Sequence, residues 1–131
     1  MQKLFVKVAK GNENYGTWID AIPGIYGQGD TVEEAKSELQ KGLNLYIKHN
    51  KELPEILKGK YEIIYQYDTQ SFLKYYENIF SKPALEKITG INQKQLWHYS
   101  SGKRRPKQTT TFKIQQRIHQ FADDLRQIQF V

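Results

Sequence analysis

Leu4, Val6 and Val8 alternate with Phe5, Lys7 and Ala9 in KLFVKVAK, a period of two that predicts a strand. Gly11-Asn12 marks a turn, and YGTWIDAI predicts a second strand of the same kind. Pro23-Gly24 bends the chain into IYGQG, a short third strand between glycines. DTVEEA then starts a helix: Thr31 caps the free amides and Glu34, three residues on, completes a capping box. Ala35, Leu39, Gly42, Leu43, Tyr46 and Ile47 carry helical spacing to about His49. Lys51 to Lys60 reads as a connection broken by Pro54 and Gly59. YEIIYQY follows as a fourth strand with Tyr61, Ile63, Tyr65 and Tyr67 on one face. The order βββαβ predicts an α+β sheet with one helix packed on it.

Asp68-Thr69-Gln70-Ser71 reads as a hinge, because the period then changes to 3.6. Phe72, Tyr76, Ile79 and Phe80 share one face of a first helix. Pro83 suits the first position of a second, which carries Leu85 and Ile88 and stops at Thr89-Gly90. Asn92 caps a third, which ends at Gly102, and a last helix begins near Thr109–Thr111. Its apolar residues Ile114, Ile118, Phe121, Leu125 and Ile128 are spaced 4, 3, 4, 3, suiting either the core of a four-helix unit or a paired helix. The expected organisation is an α+β domain over residues 1–68 and an all-α domain over 69–131.

Charge separates the same two regions. Residues 1–70 hold 9 Lys/Arg against 10 Asp/Glu, whereas residues 71–131 hold 11 against 4. Between Lys87 and Ala122 there is no acid. A basic half beside a near-neutral half points to two roles, one of them facing a polyanion. Cysteine is absent and His49, His98 and His119 are scattered, so neither a metal site nor any other cofactor is expected. No apolar run approaches a signal-peptide core or a membrane span, which predicts a soluble, cytoplasmic protein.

The basic segment INQKQLWHYSSGKRRPK has the order a DNA-reading helix requires: a turn, a polar first turn of helix, an apolar back and a glycine stop. Gln93, Lys94 and His98 are expected to face outward, with Leu96 and Tyr99 inward. Glutamine suits adenine and lysine suits guanine in the major groove, while Lys103, Arg104 and Arg105 suit phosphates. Asn92 and Ser101 complete the expected DNA-binding set. Residues 85–118 resemble the Cro/C1-type helix-turn-helix repressor family: TGIN, QKQLWHYSSGKRRP and TTFKI match its turn, its reading helix with the following basic residues and proline, and its next helix. Glu86 stands where that family has a small residue, which predicts shifted interhelical packing built on Ala84 and Ile88.

An enzyme reading of the front half fails on chemistry. A ribonuclease H-type site needs clustered carboxylates, beginning with one inside the first strand, and KLFVKVA has none. Asp30, Glu33 and Glu34 are explained as favourable charges at a helix N-terminus. No nucleophile triad or phosphate-binding loop appears, so catalysis is not expected. DAIPGIYGQGDTVEEAKSELQKGLNLYI resembles the HicB antitoxin family, whose usual motif runs FPDLPG, then a glycine and an acid before the E-E-A of a helix. The departure is DAIPG for FPDLPG. The resemblance implies a partial ribonuclease H fold without catalytic acids that binds and occludes a HicA toxin, an mRNA interferase, and a back domain that represses the operon. A near-neutral front domain would not repel a basic, RNA-binding toxin. Tyr15, Trp18 and Tyr26 are the candidate partner-contacting residues. The expectation is therefore an antitoxin and autorepressor acting as a homodimer or higher homo-oligomer on operator DNA. The alternative is a stand-alone repressor whose front domain senses a small ligand.

Overall fold

The alternation of KLFVKVAK becomes a nine-residue strand, β1 (Gln2–Lys10), with Leu4, Val6 and Val8 buried and Phe5 and Lys7 exposed. The computed structural model describes residues 1–131 and divides into two compact units, Met1–Ser71 and Phe72–Val131. In the first, β2 (Tyr15–Trp18) runs antiparallel to β1, and β3 (Tyr26–Gly29) antiparallel to β2. The fourth strand, β4 (Tyr61–Tyr67), lies parallel to β1 on its other side, giving a mixed sheet of order β3-β2-β1-β4. Parallel neighbours need a crossover, supplied by helix α1 (Val32–His49).

The start of α1 is fixed by reciprocal hydrogen bonds. Thr31 Oγ1 accepts from the Glu34 N–H at 3.1 Å, and the Glu34 carboxylate accepts from the Asp30 N–H at 2.9 Å. Leu39 and Leu43 of α1 join Leu4, Val6, Ile19, Ile22, Ile25 and Leu57 in the core. Helix and sheet approach so closely at β3 that a Cβ on Gly27 would lie 2.3 Å from the Ala35 carbonyl oxygen and 2.5 Å from the Leu39 nitrogen. Only glycine fits there. The buried Thr17 hydroxyl spans the same contact, donating to the Ala35 carbonyl at 2.8 Å.

Two expectations for this unit change. The second strand stops at Trp18, because the Ile22 N–H bonds to the Ile19 carbonyl (3.2 Å) and closes a turn. Ile19 and Ile22 still reach the core from that turn. The connection before β4 contains a 3₁₀ turn, Glu55–Leu57, that buries Leu57.

Four helices follow: α2 (Thr69–Tyr76), α3 (Lys82–Thr89), α4 (Gln93–Ser100) and α5 (Gln108–Arg126). The segment read as a hinge is instead the first turn of α2. Asp68 accepts from both the N–H and the hydroxyl of Ser71, each at 2.8 Å. Ser71 Oγ in turn accepts from the Lys10 N–H at 2.9 Å, so this turn belongs with the end of β1. Helix α2 also ends sooner than its periodicity suggests. Residues after Tyr76 tighten into turns, which turns Ile79 outward, while Leu73 is the fully buried residue.

Leu73, Leu85, Leu96 and Tyr99 form the second core, with Phe72, Phe80 and Ile91 packed against it. On α5 the apolar stripe is covered only at its start. Ile114 is buried, Ile118 and Phe121 are half-buried, and Leu125 and Ile128 are 51% and 57% exposed. The structure is thus a mixed α+β fold, a four-stranded sheet and five helices, and no helix is long and apolar enough to cross a membrane.

Candidate nucleic-acid interface

Helix α3 begins at Ser81, whose Oγ accepts from the Ala84 N–H at 3.1 Å, with Pro83 in its first turn. It ends at Gly90, whose φ of +75° turns the chain toward α4. The buried Thr89 hydroxyl donates to the Leu85 carbonyl (2.7 Å) and accepts from the Ile91 N–H (3.2 Å), holding that turn. Asn92 caps α4, its side-chain oxygen accepting from the Gln95 N–H at 2.8 Å.

Glu86 explains its own departure from the pattern of small residues. Its carboxylate crosses the turn and accepts from the Gln93 N–H at 2.8 Å, supplying both a cap and a favourable charge to the N-terminus of α4. Ala84 and Ile88, expected in the interhelical contact, are each half-buried. On the far side, Arg117 Nε of α5 donates to the Ile88 carbonyl at 3.3 Å.

Helix α4 divides into faces. Leu96, Tyr99 and Ser100 are buried, and Gln95 donates to the Tyr99 hydroxyl at 2.8 Å. Gln93, expected beside Lys94 and His98, is half-buried and shares a shallow pocket with Leu73, Leu85, Leu96 and Trp97. At 100° per residue, Gln93 and Trp97 form one ridge while Lys94, His98 and Ser101 form the next. Lys94 and Ser101 are exposed, His98 half-buried, and the Trp97 and His98 rings lie 5.6 Å apart.

Past α4 the chain folds back. Gly102 has a φ of +81°, and the Arg104 N–H donates to the His98 carbonyl at 3.1 Å. The Ser101 hydroxyl is used in the same turn, donating to the His98 carbonyl at 3.3 Å and accepting from the Lys103 N–H at 3.4 Å. This brings Lys103 and Arg104 to His98. The His98 imidazole is held below the ordinary histidine range, first by burial and then by the charges of Lys103, Arg104 and Lys94. Its Nδ1 is buried without a hydrogen-bond partner. Lys103, Arg104, Arg105 and Lys107 are exposed, and no ion pair uses them. The result is a cationic surface on a helix anchored by its back, with the Glu86 carboxylate at its N-terminus.

In the first unit the candidate partner residues separate. Trp18 pairs with both Lys7 and Tyr26 in the sheet register, so these side chains share the face away from α1 with Phe5. Trp18, Tyr26 and Phe5 are exposed there, and Trp18 Nε1 donates to Asp20, which also pairs with Lys7 at 2.8 Å. Tyr15 lies three residues before Trp18 and so faces the opposite side. It is 7% exposed, with the Lys10 ammonium 5.0 Å from its ring centroid, and does not join that surface. Phe5, absent from the sequence-based set, does join it; its place in the strand alternation was the available signal. No group of His, Asp or Glu side chains is placed to hold a metal ion.

Comparison with protein-family models, with curated proteins and with solved structures finds no match for this chain.

Proposed function

We propose that this chain is an antitoxin and autorepressor of the HicB type, in which residues 72–131 act as a helix-turn-helix module on operator DNA and residues 1–71 bind and cover a HicA-type toxin. The observation that carries the proposal is the clustering of Lys94, His98, Lys103 and Arg104 on α4 and its following turn, facing away from the core. A helix in the major groove needs a short polar first turn and cations flanking the groove. Lys94 and His98 reach base edges, with Asn92 and Gln93 at the entrance. Lys103, Arg104 and Arg105 hold phosphates, and Ser101 shapes the turn that presents them.

For the front unit, the order β3-β2-β1-β4 with β4 parallel to β1 supports reading it as a partial ribonuclease H fold. Trp18, Tyr26 and Phe5 offer an aromatic contact surface for a protein partner, of the composition favoured at interfaces. The protein works as a homodimer or higher homo-oligomer, as paired operator half-sites require.

The test titrates the chain onto duplex DNA from upstream of its own coding region, with and without a HicA-type protein, which the proposal expects to be small, basic and encoded beside it. Salt-sensitive, sequence-preferring binding and capture of that protein are expected. Absence of binding to any duplex would overturn the DNA half. Affinity that responded to a metabolite and not to a protein would favour the stand-alone repressor.

A further inference from the structure

We propose that the exposed half of α5 is a self-pairing surface, on which α5 of a second copy of this chain packs antiparallel about a two-fold axis beside Asp123. This deepens the reading above by naming the surface that joins two helix-turn-helix modules, and it rests on that reading for the need of a second copy. Ile118 and Phe121 are half-buried, Phe121 against Phe80, while Leu125 and Ile128 are each more than half exposed. The last turn continues past Arg126, since the Gln127 and Ile128 N–H groups bond to the Asp124 and Leu125 carbonyls at 3.3 and 3.2 Å. At 100° per residue the four side chains fall within an arc of about 80°. The Asp123–Arg126 ion pair (3.2 Å) lies on the other side of the helix.

Charge selects the occupant. Residues 71–131 hold 11 Lys/Arg against 4 Asp/Glu, yet two of those acids, Asp123 and Asp124, stand in this stretch. From Gln108 to Arg117 there are two cations, Lys113 and Arg117, and no acid, whereas from Ile118 to Val131 the only Lys or Arg is Arg126. The helix is therefore polarised along its length. This is the part of the basic unit that a second basic unit can approach without cation meeting cation. An antiparallel copy runs the acidic end of one helix toward the basic start of the other and opposes their dipoles. A parallel copy sets like beside like.

Burial sets the register. Ile114 is buried, so the pairing begins at Ile118. The 4, 3 spacing then layers Ile118 on the second copy's Ile128 and Phe121 on its Leu125, each half-buried side chain against an exposed one. On one flank Ala122 meets Ala122, which lets the backbones come close. On the other Asp124 meets Asp124, and that repulsion is the signature of this register. An axis half a heptad earlier would set Arg117 against Asp124, but it would press Leu125 onto the buried Ile114, and Arg117 is already held by the Ile88 carbonyl.

Sedimentation equilibrium of the chain without DNA is expected to show a monomer–dimer equilibrium with Kd of about 10–100 µM, weak because the stripe is short. Leu125→Asp should weaken it at least about tenfold. Mixing reads the register. Asp124→Lys chains mixed with labelled wild type should form heterodimers well above the statistical share, because the like-charge contact becomes an attraction, and Asp124→Asn should tighten the homodimer. A misfolded variant cannot gain affinity for the wild type. The chain has no cysteine, so single cysteines report the flank. With helix axes about 8–10 Å apart, Ala122→Cys is expected to cross-link through a short bis-maleimide, and Gln127→Cys, on the back of the helix, should not. A wild-type chain monomeric at about 500 µM, an undiminished Leu125→Asp dimer, a statistical mixture with Asp124→Lys, or equal cross-linking at both cysteines would overturn the proposal. A chain that dimerises in this way but binds no duplex would overturn the DNA reading and leave the α5 pairing in place.

Discussion

Lys94 and His98 stand one turn apart on the same side of α4, yet the His98 imidazole is held toward its neutral form. Burial and three neighbouring cations hold the His98 imidazole low, so the folded free chain resists its protonation. The unfolded chain does not. The stability His98 contributes as a neutral side chain is therefore present above the ordinary histidine pKa of ~6.5 and is lost as pH falls below it. On the proposed reading, DNA phosphates beside His98 would favour the imidazolium, so DNA binding should take up a proton. Affinity should rise as pH drops from about 7.5 to about 5.5, and His98→Gln should flatten the profile. A wild-type profile as flat as that of the variant would remove His98 from the interface. At constant pH, Lys94→Ala should relax sequence preference at a cost of ~1–3 kcal/mol, while Arg104→Ala should weaken all duplexes alike. Anisotropy titrations against matched and scrambled sites separate the two, and the reverse pattern would mean that α4 lies in another register. The residue types of this surface were legible in the sequence, but their faces were only partly so. Gln93 reads as a neighbour of Lys94, and a 100° step assigns it to the Trp97 ridge instead. Glu86 looked like a packing fault because its hydrogen bond to the Gln93 N–H crosses a turn, seven residues along the chain.

Among the elements, α5 shows what periodicity does and does not determine. Its 4, 3, 4, 3 spacing gives one apolar stripe, but coverage depends on what lies opposite. The nineteen residues of α5 extend about 28 Å, and the eight of α3, against which it packs, about 12 Å. One end of the stripe is therefore left open. Ile114→Ala should cost ~2–4 kcal/mol, because it leaves a cavity in a packed site. Leu125→Ala should cost under ~1 kcal/mol in dilute monomer, because half of that side chain already meets water. Urea unfolding of both variants checks the contrast, and equal losses would mean that Leu125 is covered in solution. The strands follow the same logic. β1 was legible in full because alternation along a central strand is enforced on both edges. β2 was overread because Ile19 and Ile22 remain core residues after the backbone has left the sheet. Gly27 was legible only as part of a short strand between glycines, whereas its role is to admit the backbone of α1.

For the molecule as a whole, the division into two units was written in the change of period and in the charge. Its position was less legible, since the Ser71 hydroxyl bonds back to Lys10 and carries the first turn of α2 with the front unit. The charge asymmetry gives the last prediction. A module holding phosphates with Lys103, Arg104 and Arg105, about three cations, should lose DNA affinity with a slope near −2.7 in log K against log salt. Binding of a protein partner to the front unit, which holds nearly equal numbers of acids and bases, rests more on Trp18, Tyr26 and Phe5 and should fall far less steeply. Raising salt from about 0.1 M to about 0.4 M should therefore release the duplex while the partner remains bound. Arg104→Ala should flatten the first slope by about 0.9 and leave the second unchanged. Trp18→Ala should do the converse, weakening the partner complex without moving the DNA curve. Fluorescence anisotropy of labelled duplex and of labelled partner, in one salt series on the same preparation, reads both. If a single variant shifted both curves, or if salt released both ligands together, the two activities would share a surface and the division of labour between the units would fail.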